Sequence, residues 1–337
     1  MNRPYTRFIT RALSRWVDLW NQSEPPLSLA CVRILVAAVI LVDLLAACTL
    51  GAVPALFAPP PHGFGWGALA DDPPLLVRCF GPSVLTALAA WLLAVVSAVC
   101  VLLGFYFRLT SSVLVFAMLE LMRFTPDGDA IDSIFRFVLP LLALSDAHAT
   151  LSLDARRHRL RSSLEPLPQT ILAWPRYLIV IQLLWVYFSA AHHRGKASWG
   201  LAGGFSAIGD VLGDPHFARF VPGTFAPIYP LTQLATLLTM AFEFSAPLFL
   251  VFDYYHRHHQ NDGKFGLGPI VRRLHLRNLW LALGVSLHLG IAASMQLGIF
   301  PFGILALYPA LIHPHELKRL FTRLLATRFP NLLRAIG

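Results

Sequence analysis

The sequence predicts an all-α membrane protein, a polytopic helical bundle of about eight transmembrane helices. Three observations carry that reading. Of 337 residues, 56% are hydrophobic and only 13% are charged, where a soluble domain carries about 25% charged residues. The mean hydropathy is +0.61. The basic residues gather in short clusters between long apolar runs, which is how membrane topology is written.

The elements follow in order. Residues 28–50 form the first apolar run, long enough for a span at about 20 residues per crossing. Residues 51–82, with ALFAPPPHGFGWGALADDPP, are rich in Pro and Gly and read as an outer loop. Further segments lie at 83–104, 110–123, 133–151 and 172–192. Residues 193–230 mix apolar and polar residues with Gly and Pro and read as an outer cap that includes an interfacial helix. The last three segments are 231–252, 278–296 and 299–313. The third and eighth are short, and Phe300-Pro301-Phe302-Gly303 suggests a re-entrant turn between the last two. Trp66, Trp199, Tyr229 and Tyr308 are expected at the headgroup level.

Charge sets the orientation. With an inside N-terminus and eight crossings, twenty of the 27 Lys and Arg residues fall inside and six fall outside, with Arg33 in the first span. That asymmetry predicts a multi-pass protein of the cell inner membrane with both termini cytoplasmic. It divides the chain into a basic N-terminal segment 1–26, a transmembrane domain 27–313 and a basic tail 314–337. The first 15 residues are basic and contain no apolar run ending at a small-residue cleavage site, so no cleaved signal peptide is expected. The net charge of +9 is topological in this reading, with the lipid bilayer as partner and no nucleic acid.

Ionisable residues inside spans are costly and face protein or water. Arg33 and Asp43 in the first segment, Glu120, Glu243 and His288 are of this kind. They either join helices or line a polar cavity in which Glu243 or His288 moves protons. Asp132 and Arg136 stand four apart, the spacing of a pair on one helix face. Cys31, Cys48, Cys79 and Cys100 include no CxxC and read as small buried hydrophobes, with a Cys48–Cys79 disulfide left open by their shared outer position. His256, Arg257, His258 and His259 do not supply the converging ligands of a metal site, and none is expected. No GxGxxG, GxxxxGKS, HExxH or GxSxG pattern occurs, so nucleotide, zinc-protease and serine-hydrolase chemistry have no support.

The densest polar cluster is YFSAAHHRGKASWG, Tyr187 to Gly200. It is also one of five stretches that together resemble a family. LSLACVRILVAAVILVDLL (27–45) contains a Leu-Ala-x-x-Arg pattern ending at Arg33, and LGFYFRLTSSVL (103–114) a Leu-Gly-x-x-Tyr-Arg-like turn with Arg108. LSDAHATLSLD (144–154) has an Asp-Ala…Ser-x-Asp ending, YFSAA…W (187–199) a Tyr-Phe-x-Ala…Trp segment, and LHLGIAASMQLGIF (287–300) a helix with His288. In this order they resemble the membrane domain of vitamin K-dependent gamma-carboxylase, a branch of the horizontally transferred transmembrane (HTTM) domain family.

The resemblance implies an HTTM-like fold and chemistry in which a lysine acts as base on a reduced quinone, oxygen adds, and the strong base so formed deprotonates a glutamate that captures carbon dioxide. Aligned without a gap between Tyr187 and Trp199, this chain has His193 and Arg194 where the family has paired lysines, with Arg194 at the catalytic one. Ile131 stands at the family's histidine, beside Asp132. Arginine is a poor base. Lys196, two residues on, and His193 are the substitutes. The tail 314–337 is too short for the domain that grips the carboxylation substrate, so peptide carboxylation is not expected.

The cluster therefore has three readings. It is a solvated helix end; or an anion or quinone-oxygen site of Arg194 and Lys196 above Glu243 or His288; or a catalytic base pair of His193 and Lys196. Two functions follow. In the first, an outward-facing polar cavity binds a quinone-like or lipid-like molecule, with a reduced quinone as candidate cofactor. Lys196, His193, His288 and Glu243 are the catalytic candidates there, and Arg194, Trp199, Arg136, Asp132 and Arg33 the binding ones. In the second, a non-catalytic membrane factor assists the maturation, export or redox assembly of a secreted or membrane protein.

Overall fold

The computed structural model describes residues 14, 17–18, 20–65, 73–124, 130–161, 165, 167–257 and 267–328. Most of the basic N-terminal segment, Trp66, His258, His259, Lys264 and the end of the tail lie outside the described residues. The chain divides into two compact units, residues 1–180 with 306–337, and residues 181–305.

The first unit is built on α1 (Leu27–Thr49), α4 (Val84–Leu103), α5 (Phe107–Phe124) and α6 (Ala130–Leu144), packed in series. Helix α4 buries Ala87, Ala90, Ala94 and Ala98, each 0% exposed, at helical spacing. Small residues in such a stripe let neighbouring backbones approach closely where no hydrophobic force drives helices together in lipid. Trp91 Nε1 donates to Leu44 O at 3.0 Å and ties α4 to α1. Ser83 caps α4 by accepting from the Thr86 amide, and Gly104 ends it in the left-handed region at φ 62°.

The loop expected at 51–82 holds α2 (Val53–Phe57) and α3 (Leu75–Phe80). Glu120 of α5 is buried and accepts from the Leu76 amide at 2.8 Å. The segment expected at 133–151 stops as a helix at Leu144 and turns into α7 (Leu153–Leu160), capped by Ser152. The segment expected from 172 starts in β2 (Ile171–Leu172), which pairs antiparallel with β1 (Ser23–Glu24), before α8 (Trp174–His192) begins. Beside that pairing Arg176 and Glu24 form a buried ion pair at 2.8 Å, and Arg176 Nη1 also donates to Ala310 O at 3.0 Å. Tyr308, expected at the headgroups, is buried at 6% exposure in a 3-10 turn (Tyr308–Leu311), followed by α15 (Pro314–Arg328).

The second unit holds the end of α8, a cap with α9 (Ala207–Gly213), then α10 (Tyr229–Phe244), α11 (Leu248–Arg257), α12 (Leu267–Arg273), α13 (Leu276–Ser294) and α14 (Phe300–Leu305). The apolar run expected at 231–252 is not one straight helix: α10 and α11 are bent by 71°. Pro247 falls in that break, and proline has no N–H to continue the helical ladder. Trp280 of α13 stacks on Phe242 at 4.4 Å and lies 4.8 Å from Phe249, joining three helices in one aromatic core. Asp253 takes Arg257 at 2.6 Å and the buried Arg277 at 3.0 Å.

By length and composition, three of the described helices could cross a membrane: α1, α4 and α13. The bent pair α10–α11, with its leading turn, makes a fourth if it is one span. Helix α5 is long enough, but it carries Arg108, Glu120 and Arg123. Helix α14 and the turn after it form a short apolar stretch, Phe300–Leu311. Cys48 and Cys79 are free thiols and both are exposed, so the disulfide left open by sequence is not formed. Of the other two, Cys31 is buried as expected.

Candidate functional site

The second unit brings together much of what the sequence singled out. Helix α8 delivers Tyr187 near its end and stops at His192, after which the chain turns at Gly195 into a 3-10 turn, Ala197–Trp199. That turn folds Trp199 back under Arg194, whose Cζ lies 3.6 Å from the ring centroid. Arg194 Nη2 donates to Glu243 Oε1 at 2.5 Å. The side chains of the pair are 19% and 6% exposed, so the contact is largely shielded from water.

Glu243 stands near the middle of the bent α10–α11 pair. It is the penultimate residue of α10, beside the bend, where the helix ends and a charged partner can reach it. Two atoms of the pair, Arg194 Nη1 and Glu243 Oε2, are buried with no hydrogen-bond partner among the described residues. Burial pulls the Arg194 guanidinium below its ordinary value, and the Glu243 carboxylate acts against that shift. Cation–π contact with Trp199 and the ion pair hold the guanidinium in one place.

His288 of α13 is also buried, at 2% exposure, and its Nε2 is 2.7 Å from the Tyr187 hydroxyl. Tyr187 sets its ring edge-on to Phe242 at 4.8 Å, the residue beside Glu243. Sequence reasoning quoted Tyr187 but assigned it no role. The two partners are 101 positions apart, and no spacing rule connects them.

The remaining candidates are elsewhere. His193 and Lys196 are exposed. His193 Nδ1 lies 2.8 Å from its own helix's Ser189 carbonyl, the geometry of a helix end. Lys196 precedes the 3-10 turn without capping it through its side chain. Lys196 acts electrostatically on Asp214. Arg33, Asp132 and Arg136 belong to the first unit. There Arg33, 0% exposed, donates to the carbonyls of Val101 (2.8 Å), Leu102 (3.2 Å) and Leu151 (2.6 Å). Arg136 Nε donates weakly to Met122 Sδ at 3.5 Å, and Asp132 stands in the first turn of α6. Ile131, at the position of the resemblance's histidine, is 0% exposed. Among the described residues no group of three or more His, Cys, Asp or Glu side chains could hold a metal ion.

The model of the HTTM domain matches residues 21–258. No curated protein and no solved structure matches.

Proposed function

The chain belongs to the HTTM domain family, and from that premise we propose that it is an eight-span protein of the inner membrane, with both termini cytoplasmic, that binds a hydrophobic molecule of the quinol class at Arg194 and Glu243. One observation carries the site: an N–H donor, Arg194 Nη1, and an acceptor oxygen, Glu243 Oε2, are buried within one ion pair and lack partners among the described residues. Buried polar groups are normally satisfied. A single hydroxyl answers both needs, because its oxygen accepts from Nη1 while its hydrogen is donated to Oε2. A carboxylate so placed can take the hydroxyl proton, and the guanidinium balances the negative charge left on the oxygen. Arg194 is the electrostatic partner in this reading and Glu243 the base. Neither His193 nor Lys196 takes part.

A second reading is favoured by a different observation. Arg194 and the buried Ile131 stand where the resembling carboxylase has its lysine and histidine. A chain so altered serves as a non-catalytic factor that assists the maturation or export of a partner protein, and its buried charge pair is then a clasp for the outer cap.

Titration of the detergent-purified protein with menadiol separates the two. The quinol reading expects saturable quenching of tryptophan fluorescence that Glu243→Gln abolishes without unfolding the protein, and oxygen uptake above autoxidation if the carboxylase-type chemistry is retained. Absence of saturable quenching in the wild type assigns the chain to the partner-assisting class.

A further inference from the structure

A second polar site lies in the first unit, where α4 ends, α5 begins, α6 ends and α7 begins. A cavity of about 410 Å³ is lined there by Tyr106, Arg108, His148, Asp154, Arg157 and His158, among others. Its volume falls in the range of ligand pockets, about 300–1,000 Å³.

Its charges are arranged for an anion. Asp154 is the acidic residue of the lining, and both of its oxygens are engaged by backbone, accepting from the Tyr106 amide at 3.0 Å and the Phe107 amide at 2.8 Å. Arg157 is held in position by three contacts: Nη2 donates to the Tyr106 hydroxyl at 3.1 Å, the guanidinium lies 4.5 Å from the Tyr106 ring centroid, and Nη1 stands 3.8 Å from Asp154. Arg108 at the rim is anchored on Asp146 at 2.5 Å. The rest of α7 adds the exposed Arg156 and Arg159, with Arg161 just beyond.

A buried side chain points to a ligand independently of those charges. His148 is 7% exposed, stacks on Phe107 at 5.1 Å, and has its Nδ1 buried with no hydrogen-bond partner among the described residues. A phosphate supplies acceptor oxygens for Arg108 and Arg157, and a further oxygen or hydroxyl for His148. The cavity sits at one end of α4, an apolar helix of membrane-crossing length, and the headgroups of a bilayer crossed by α4 would lie at that level.

We propose that this cavity is a phosphate site, filled by the phosphodiester headgroup of an anionic membrane lipid or by a free phosphate ester. The test is native mass spectrometry of the full-length protein released from mixed phosphatidylglycerol and phosphatidylcholine. Wild type is expected to retain phosphatidylglycerol over phosphatidylcholine. Arg157→Gln should lower that retention about fivefold, the equivalent of about 1 kcal/mol per Lys or Arg near an anionic surface, and His148→Gln should lower it as well by altering the hydrogen bond to the headgroup. Arg319→Gln, on the basic face of α15, should leave it unchanged. If Arg157→Gln does not fold, Arg108→Gln, with a side chain 63% exposed, carries the test. Release of the lipid by millimolar inorganic phosphate assigns the site to a free phosphate ester, and resistance to it assigns the site to the lipid. Equal retention of the two lipids by wild type, or undiminished retention by both cavity variants, overturns the proposal.

Discussion

Arg194 and Glu243 meet at 2.5 Å from positions 49 apart in the chain, one just past the end of α8 and the other beside the bend between α10 and α11. Of the three readings that sequence leaves open for this arginine, the solvated helix end does not describe it: it is a mostly buried half of an ion pair. Removing one member of a buried pair strands the other charge, whereas removing both does not. Glu243→Gln and Arg194→Gln should each destabilise the protein by about 3 kcal/mol. The double variant should lose less than the sum, as read by denaturant unfolding of the purified protein. Strict additivity would show that the two charges do not interact.

The Tyr187–His288 bond gives a milder expectation. Tyr187→Phe deletes one hydrogen bond of 2.7 Å and keeps the ring against Phe242 and Trp280. The cost should be about 1 kcal/mol, the net worth of a neutral hydrogen bond. Tyr187→Ala also empties the aromatic cluster and should cost about 3–5 kcal/mol. Comparable melting of the two variants would show that the ring does not pack as described.

Arg33 satisfies three carbonyls from within the protein. Arg33→Leu strips the Leu102 and Leu151 carbonyls of their side-chain donor, at a cost of about 1–3 kcal/mol for each group that water cannot reach, while Val101 O keeps the Gly104 amide. Membrane yield and thermal stability should both fall. Unchanged yield and melting would remove Arg33 from the role of joining α1 to α4 and the turn before α7.

Gly104 lies at φ 62°, and a β-carbon there would collide with Ser152 Cβ and Arg33 Nη1. Gly104→Ala should therefore be destabilising by more than the about 1 kcal/mol of a left-handed backbone alone. It should also weaken the same assembly as Arg33→Leu, so that the double variant is less than additive.

Thiol labelling tests orientation. Cys48 and Cys79 are exposed free thiols at the face assigned to the outside, and Cys31 is buried. A membrane-impermeant maleimide applied to intact cells with a permeabilised outer membrane should label the first two and spare Cys31. Labelling of Cys48 and Cys79 only after inner-membrane lysis would reverse the topology.

The helical class and the family were legible because both rest on local patterns: apolar runs, basic clusters, and short motifs in a fixed order. Arg33 and Glu243 could be picked out as misplaced charges by the same logic. Their partners could not. Arg33 is answered by carbonyls, which every residue has, and Glu243 by an arginine whose neighbours Lys196 and His193 looked equally suitable. Helix ends were misjudged where a polar side chain or proline interrupts an apolar run, at Ser145 to Ser152 and at Pro247. Hydropathy averages over such breaks. The ion pair of Glu24 with Arg176 is invisible to local pattern because its partners lie 152 positions apart. The His148 cavity was missed because its residues come from two separate motifs, 103–114 and 144–154, that meet only in the fold.

Arg33 also constrains the order in which the chain can be made. Its acceptors lie 68, 69 and 118 residues downstream. As the ribosome releases the first apolar helix, the cation it carries has no mate yet in existence. The helix must wait with that charge near one end, within reach of water or headgroups, until the second apolar helix is complete. It is sealed only when the chain has been translated through Leu151. Nearly half of the polypeptide must therefore be made before the last of the carbonyls that receive Arg33 exists.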